Sequence, residues 1–148
     1  MTIKLEQVVI HTDGACKGNP GVGGWGAVLQ YNNKIKELYG WAKNTTNNRM
    51  ELMATIQALS ALRRSCKVLL YTDSKYVHNG ITTWLSRWAN SGWKTMANQS
   101  VKNQDLWKKL NAEHQRHQIR WLWVKGHSGD PMNELADFLA NKGILNVN

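Results

Sequence analysis

The hydrophobic period of the chain changes at Asn48, and this change constrains the fold more than any other feature of the sequence. The segments before it are short, apolar and rich in β-formers, which predicts three strands: residues 8–13, 25–31 and 35–41. Asn32 and Asn33 are typical of a tight turn between the second and third strands. Strands joined by such short connections are expected to form an antiparallel meander.

Beyond Asn48 the apolar residues follow helical spacing. Leu52, Ile56 and Leu59 recur at i, i+4 and i+7, which predicts an amphipathic helix. Two later apolar runs predict strands, at 68–72 and 119–124. Three further segments predict helices, at 76–88, 105–114 and 130–142. In the last helix Asp130 is the expected N-cap, Pro131 the first helical residue and Gly143 the stop.

The resulting order, βββαβααβα, predicts the α/β class. We expect a mixed five-stranded sheet flanked by helices, in which strands 1–3 form the meander and strands 4 and 5 run parallel to strand 1. The 148 residues suit a single domain spanning 1–148, with its core at about 6–142 and a short C-terminal tail at 143–148. Ligands of such sheets gather at the carboxyl ends of the parallel strands.

Charge indicates the class of partner. Nineteen Lys and Arg against ten Asp and Glu give a net charge of +9, so a polyanion is expected, either nucleic acid or an anionic membrane surface. The membrane is disfavoured because no apolar run approaches the ~20 residues of a spanning helix, and the start does not resemble a signal peptide. Cys16 and Cys66 form neither a disulfide scaffold nor a metal-binding spacing, which favours a reducing, cytoplasmic setting.

Two predicted strands end in the same pattern, a hydrophobic run followed by Thr, Asp and a small residue: VVIHTDGA and VLLYTDSK. Either aspartate alone is readily explained as a cap of the following segment, and Asp73 is well placed to cap a helix. Together, Asp13 and Asp73 lie at adjacent parallel strand ends. Like charges that close are unfavourable unless a cation lies between them, so the pair indicates a metal site.

Three further acids have both a structural and a functional interpretation. Asn48 and Glu51 have the spacing of a capping box, and Glu134 with Asp137 at i and i+3 is otherwise a solvated acidic pair. The functional interpretation brings four carboxylates to one sheet end: Asp13, Glu51, Asp73 and Asp137. Hard oxygen ligands suit Mg²⁺ or Mn²⁺, and a pair of such ions supports in-line displacement at phosphorus.

His127 and a group of tryptophans also have two interpretations. His127 lies in KGHSGDP, where a loop histidine is usually just exposed, but flanking glycines suit proton transfer or product release. Trp84, Trp88 and Trp93 are most simply an apolar cluster supporting a helical excursion. Beside Arg87 and Lys94, their rings would also suit packing against sugars along a phosphate backbone.

Five stretches between about residue 8 and residue 142 match a known family in the order in which they occur along the chain: TDGACKGNPGVGGWG, TTNNRMELMA, TDSKYVHNGI, WKT with VKNQDLW, and WVKGHSGDPMNELAD. In this order they resemble type 1 ribonuclease H in its single-domain bacterial form. The resemblance implies an endonuclease that cuts the RNA strand of RNA–DNA hybrids and leaves 5′-phosphate and 3′-hydroxyl ends. It implies two Mg²⁺ ions with substrate, for which Mn²⁺ substitutes, and an RNA–DNA hybrid as partner. We expect a monomer that binds no membrane.

The resemblance also assigns roles. It makes Asp13 the ligand of both ions, and Glu51, Asp73 and Asp137 the remaining ligands. His127 matches a histidine for proton transfer and product release, and Glu134 an auxiliary acid. Four polar residues match contacts to the minor groove or the DNA phosphate: Asn19, Thr46, Asn47 and Asn48.

Two positions depart from the family pattern. In the family, the segment that carries these tryptophans is called the basic protrusion, and it usually has Lys and Arg between its second and third tryptophans. Here residues 89–92 read Ala-Asn-Ser-Gly, flanked by Arg87 and Lys94. We therefore expect weaker hybrid binding with a shallower salt dependence. Lys75 replaces a frequent glutamine and adds positive charge beside Asp73.

Three other functions remain alternatives. The first is a non-catalytic, basic nucleic-acid-binding module of the same fold, although a pure binder gains nothing from four carboxylates facing a polyanion. The second is another nuclease of this fold class, such as a transposase or a junction-resolving enzyme. A structural metal-binding protein is the third.

Overall fold

Five strands form one mixed sheet in the computed structural model, which describes residues 6–126 and 129–147. The sheet order is β3-β2-β1-β4-β5. β1 and β2, and likewise β2 and β3, are antiparallel, whereas β4 lies parallel to β1 and β5 parallel to β4. The strand bounds are Gln7–Gly18, Gly21–Tyr31, Lys34–Thr45, Lys67–Thr72 and Gln118–Trp123. The predicted fold class and strand directions are confirmed.

Helices cover both faces of this sheet. Their bounds are α1 Asn47–Ser60, α2 Lys75–Asn79, α3 Leu85–Asn90, α4 Gln104–Arg116 and α5 Pro131–Leu145. The predicted helix at 76–88 is thus two α-helices joined by a π-helical turn, Gly80–Trp84. At Gly80 a Cβ would lie 2.0 Å from the Trp107 ring, so glycine lets this turn pack directly on α4.

The main hydrophobic core lies between the sheet and α1 with α4. Ile10 of β1, Leu70 of β4, Leu52 of α1 and Trp107 of α4 are all fully buried there. A smaller cluster on the opposite face joins Val28 of β2 to the α5 residues Ala136 and Leu139. The α5 helix therefore crosses the antiparallel half of the sheet and packs chiefly on β2 and β1.

The first two strands are longer than predicted. β1 passes Asp13 and continues to Gly18, and β2 begins at Gly21, because the glycine-rich segment pairs with β1 from Gly14↔Trp25 to Gly18↔Gly21. The parallel pairing of β1 with β4, however, stops at Thr12↔Thr72. Asp13 and Asp73 therefore follow the last parallel pair, as the sequence predicts.

The predicted end of the last helix is wrong. Gly143 does not stop α5, which continues to Leu145, and the segment from 143 is not a tail because Ile144 is buried. A Cβ at position 143 would lie 2.2 Å from the Gly40 carbonyl oxygen. Glycine is present here because α5 approaches β3 at backbone distance. The predicted start is confirmed, since Asp130 caps α5 and Pro131 is its first residue.

Candidate active site

The carboxyl ends of β1 and β4 bring Asp13 and Asp73 together. Asp13 is 9% exposed, and Asp73 is half-buried directly after the last residue of β4. Ser74 rather than Asp73 caps the following helix, because the Ser74 hydroxyl accepts a hydrogen bond from the Val77 N–H (3.1 Å). The structural explanation of Asp73 as a helix cap is therefore wrong, which leaves its carboxylate at the sheet end.

Glu51 approaches Asp13 from α1 through a close contact of backbones. The Gly14 N–H donates to Glu51 Oε1 (2.7 Å) and also to Asp13 Oδ1 (2.9 Å). A Cβ at position 14 would lie 2.5 Å from the Glu51 nitrogen, so only glycine permits this approach. The capping-box interpretation of Glu51 is wrong, because Thr46 caps α1 by accepting from the Arg49 N–H (3.2 Å).

Asp13, Glu51 and Asp73 form an acidic cluster. One carboxylate oxygen from each lies within 4.8 Å of the other two. Asp137, on α5, lines the same open cavity of about 390 Å³. Glu134, one helical turn earlier, is exposed and is not among the residues that line this cavity.

Burial and mutual repulsion hold protons on this cluster. Burial raises the pKa of Asp13 to about 8, with Asp73 and Asp137 acting in the same direction against the hydrogen bonds of Glu51 and Gly14. Burial, followed by the negative charge of Asp13, raises the pKa of Glu51 well above its usual range. Glu51 Oε2 is buried and has no hydrogen-bond donor among the described residues. A divalent cation bound between these carboxylates would lower their pKa values and offset their repulsion.

Polar residues predicted to contact substrate surround the acids. Asn47, Asn48 and Lys75 line the acidic cavity with them. Asn19 is exposed in the β1–β2 turn, where its Oδ1 accepts from the Asn47 N–H (3.4 Å). Thr46 is half-buried, and its hydroxyl caps α1. Asn47 and Asn48 therefore lie beside the acids, and Asn19 contacts Asn47.

The tryptophan region forms a separate groove of about 340 Å³, here called the tryptophan groove. Its walls include two indoles and two cations: Trp84, Trp88, Arg87 and Lys94. The Trp84 and Trp88 rings lie 5.7 Å apart, and Trp88 also packs edge-on against Trp107. Trp93 is not among the groove-lining residues; it packs against the main core, and its carbonyl accepts from Gln104 Nε2 (3.1 Å).

For three residues the sequence predicts no contact with the acids: Gly14, Trp123 and Gly126. Gly14 makes the two hydrogen bonds described above. At Gly126, a Cβ would lie 2.7 Å from Asp73 Oδ2, so the Gly126 backbone lies against that carboxylate. The Trp123 Nε1–H donates to the Asp73 carbonyl (3.0 Å), and Lys75 Nζ lies 5.2 Å from the Trp123 ring centre. A glycine directly after a strand-end aspartate is the one signal that would have indicated such an approach. The predicted His127 lies outside the described residues.

Comparison with known proteins shows the family of the chain. The sequence model of the RNase H family matches residues 5–145. The chain belongs to the ribonuclease H family. It is 63% identical over 142 residues to "Ribonuclease HI" of Pseudomonas aeruginosa strain PAO1, covering 96% of each chain. It is 59% identical over 144 residues to "Ribonuclease H" of Francisella tularensis subsp. novicida strain U112, covering 97% of this chain and 95% of that relative.

Solved ribonucleases H share the fold. LC9-RNase H1, described as a type 1 RNase H with the type 2 active-site motif, aligns with a TM-score of 0.87 at 31% identity, covering 97% of this chain and 74% of that one. The PFV RNase H domain aligns with a TM-score of 0.81 at 26% identity, covering 98% of each. These relatives make the chain a nuclease and a bacterial type 1 ribonuclease H. Within residues 6–126 and 129–147, no helix has the length and apolar character that crossing a bilayer requires.

Proposed function

We propose that this ribonuclease H hydrolyses the RNA strand of RNA–DNA hybrids and leaves 5′-phosphate and 3′-hydroxyl ends. The observation that supports the proposal best is the convergence of Asp13, Glu51 and Asp73 within 4.8 Å at the carboxyl ends of two parallel strands. A fold does not require three acids to share a partly buried site, and their crowding is unfavourable without a cation. The energetic cost of crowding these three carboxylates is explained if the site binds metal.

The donor set fits two Mg²⁺ ions, with Mn²⁺ as a substitute. Asp13, Glu51, Asp73 and Asp137 offer only carboxylate oxygens around an open cavity, and hard divalent cations prefer such ligands. When bound, the ions lower the pKa of a water and neutralise charge on the scissile phosphate and the departing 3′-oxygen. Asp13 interacts with each of the other three acids, so it would be a ligand for either ion. The Gly14 N–H fixes the Asp13 and Glu51 carboxylates in place.

His127 and Glu134 take supporting roles in this proposal. His127 follows Gly126 in the sequence, and the Gly126 backbone lies against Asp73. We propose that the His127 imidazole moves protons or assists release of product. Glu134 is exposed one turn before Asp137 on the same helix, a place suited to an auxiliary proton acceptor rather than a metal ligand.

Recognition of RNA is proposed to rest on the amide side of the cavity. Asn19, Asn47 and Asn48 present side-chain and backbone groups beside the acids, and such groups bind 2′-hydroxyls across a wide minor groove. Thr46 and its neighbours would hold the phosphate of the DNA strand. Contacts of this kind carry little base information, so cleavage is expected to depend weakly on sequence.

The tryptophan groove completes the proposed substrate surface. Arg87 and Lys94 provide charge for phosphates, while Trp84 and Trp88 provide apolar faces for sugars. Trp93 would support this surface from behind, and Lys75 adds a cation at the acidic cavity. We further propose that the chain is a single domain that acts as a monomer in the cytoplasm.

The deciding experiment offers one labelled RNA strand in three forms: paired to DNA, paired to RNA, and single. Each form is incubated with Mg²⁺ and with EDTA, using the wild-type protein and Asp13→Asn. Asparagine preserves the size of the side chain and removes the charge that would contact both ions. We expect cutting only in the hybrid, only with metal, and near background for Asp13→Asn, whose circular dichroism should match the wild type.

Other outcomes select among the alternatives. Near-normal cutting by Asp13→Asn would overturn the assignment of the site. Binding of the hybrid without metal-dependent cutting would indicate a non-catalytic binding module. Efficient cutting of DNA junctions or duplex DNA would indicate a different nuclease of the same fold class.

A further inference from the structure

A buried histidine outside the acidic cluster connects the strand of Asp13 to the helix of Asp137. His11 lies on β1 with only 5% of its surface exposed, and its Nε2 lies 3.8 Å from Asp130 Oδ2. The other oxygen of Asp130, Oδ1, accepts from the Met132 N–H (2.9 Å) and the Asn133 N–H (3.4 Å). The two carboxylate oxygens of Asp130 therefore make different contacts, since Oδ1 caps α5 and Oδ2 faces His11 on the sheet.

The His11 ring is itself held in place by β4. It stacks on the Tyr71 ring with centroids 4.7 Å apart and an interplanar angle of 7°. These two residues are direct partners in the parallel pairing of β1 and β4. His11 precedes Asp13 by two residues, and Tyr71 precedes Asp73 by two. The stack therefore lies two residues before the strand-end acids along both strands, on the face that α5 covers.

The two ring nitrogens of His11 have different surroundings, which determine which nitrogen carries a proton. Nδ1 is buried and has no hydrogen-bond partner among the described residues, whereas Nε2 faces a carboxylate. A ring proton therefore belongs on Nε2, where it faces the Asp130 carboxylate, because a buried N–H without an acceptor is costlier than a bare ring nitrogen.

Asp130 begins the helix whose residue Asp137 lines the acidic cavity, and His11 faces it from β1 at 3.8 Å. The Asp130 carbonyl accepts from the Glu134 N–H (3.0 Å), so its position determines the first turn. Asp130, Glu134 and Asp137 follow at i, i+4 and i+7, along one side of the helix. A shift of the first turn would therefore move the Asp137 carboxylate relative to Asp13 on β1.

We propose that His11 is a positioning residue, which holds the start of α5 on β1 and β4 through Asp130 and Tyr71 and so keeps Asp137 beside Asp13. This inference rests on the proposed metal-dependent hydrolysis for its meaning, but it concerns residues that touch neither metal nor substrate. The competing explanation is that Asp130 is only a helix cap and His11 only a core residue. That explanation predicts effects on stability and none on metal binding.

Three substitutions separate these explanations. Asp130→Asn keeps an oxygen for the cap and removes the charged oxygen that faces His11, since Asn caps as well as Asp. His11→Phe keeps a flat ring on Tyr71 and removes Nε2. Asp130→Ala removes both the cap and the contact. Ile144→Val is the matched control, because it trims a buried side chain at the far end of the same helix.

Each variant is assessed by three measurements. Calorimetric titration with Mn²⁺ in the absence of substrate reports the metal site. Hydrogen exchange of the Met132, Asn133 and Glu134 amides reports the first turn of α5. Steady-state hydrolysis of the hybrid separates kcat from KM.

We expect Asp130→Asn and His11→Phe each to weaken Mn²⁺ binding and lower kcat by about fivefold, less than the effect of losing a group that touches a metal ligand. KM should stay within about twofold of the wild type, because the substrate surface is untouched. The first-turn amides should exchange faster in both variants. The double variant should lose no more than either single one, because both remove the same contact. Ile144→Val should keep wild-type metal binding and kcat.

Two results would overturn the positioning role. One is wild-type Mn²⁺ binding and first-turn exchange in Asp130→Asn and His11→Phe, with a defect only in Asp130→Ala, which would leave a simple cap. The other is full additivity in the double variant. A wild-type protein that cuts no hybrid would refute the proposed function, while the Mn²⁺ titration and hydrogen exchange would still decide whether His11 positions α5.

Discussion

Asp13 is a carboxyl group that destabilises the metal-free fold at neutral pH. Burial first, and then Asp73 and Asp137, raise its pKa to about 8, whereas the unfolded chain ionises near the ordinary value of 3.8. Between about pH 4 and pH 8 the folded state therefore retains a proton that the unfolded state has lost, so this group's contribution to stability falls as pH rises. We expect Asp13→Asn to raise the free energy of unfolding at pH 8 by at least about 1 kcal/mol in EDTA, and by much less at pH 4.

Urea unfolding across this pH range, in EDTA, measures the effect. Asp105→Asn is the matched control, because its hydrogen bonds to the Arg49 guanidinium lower the pKa of that exposed carboxyl. Removing its charge at pH 8 should leave stability unchanged or slightly reduced. Mn²⁺ should stabilise the wild type and not Asp13→Asn. Equal stability of wild type and Asp13→Asn at pH 8 would contradict the electrostatic account of the cluster.

His127 should assist turnover without being indispensable. The proposed metal ligands are other residues, so His127→Ala removes the proposed proton-transfer group and leaves the acidic cluster intact. We expect kcat to fall by about 100-fold, at the low end of what general acid–base catalysis contributes. Single-turnover and steady-state assays on the hybrid would measure it, with His78→Ala expected to retain wild-type kcat. Complete loss of activity in His127→Ala would mean that its role is larger than proposed.

At the scale of elements, the sequence predicted order and direction better than extent. Alternation and helical spacing are local signals, and they identified the five strands and the mixed sheet correctly. The ends of elements depend on contacts that no local pattern shows. Gly143 looked like a helix stop, but its lack of a side chain serves a close approach to Gly40 on β3. The continuation of β1 to Gly18 depends on pairing with β2.

The site was predictable to a similar degree. The aspartates at two strand ends were recognisable because parallel strands end at one edge of a sheet. The place of Glu51 could not be derived from its spacing, which equally suited a capping box. Only the tertiary contact through Gly14, together with the Thr46 cap, decides between the two interpretations. The His11–Asp130 contact was equally invisible, because 119 positions separate the two residues.

The contact of α5 with β3 makes a prediction at this scale. Gly143→Ala would improve helix propensity by about 1 kcal/mol, because alanine is the better helix former. The new Cβ would nevertheless lie 2.2 Å from the Gly40 carbonyl oxygen, and backbone must shift to relieve it. We expect a net loss of about 2 kcal/mol in the free energy of unfolding, of the size that overpacking costs.

Chemical denaturation of Gly143→Ala would measure this loss. The neighbouring Lys142→Ala is the control, because it also introduces alanine near the end of α5 but alters a side chain that only lies over the Tyr39 ring (4.8 Å). Its stability should stay within about 0.5 kcal/mol of the wild type. A stabilised Gly143→Ala would show that Gly143 is after all a frayed helix end.

At the scale of the whole molecule, a net charge of +9 coexists with an acidic cluster that a polyanion must approach. When ionised, these acids would repel phosphate in the absence of the proposed cations, so the remaining surface must attract the substrate. Cations at the acidic cavity and in the tryptophan groove, Lys75, Arg87 and Lys94, are placed to do so. Affinity for the hybrid is therefore expected to depend on salt and to separate from catalysis.

The neutral stretch at residues 89–92 allows that separation to be tested. Asn90 is exposed at the end of α3, directly before Ser91 of the tryptophan groove, so Asn90→Lys adds a cation where a duplex would lie. Each additional phosphate contact should steepen the slope of log K against log salt by about 0.9. Asn33→Lys is the matched control, because it raises net charge equally in the exposed β2–β3 turn, near the start of β1 and away from the acids.

Fluorescence anisotropy with a labelled hybrid in EDTA measures binding without cleavage. We expect tighter, more salt-dependent binding for Asn90→Lys and little change for Asn33→Lys. Equal slopes for the two variants would mean that net charge alone attracts the hybrid and that the tryptophan groove does not contact it.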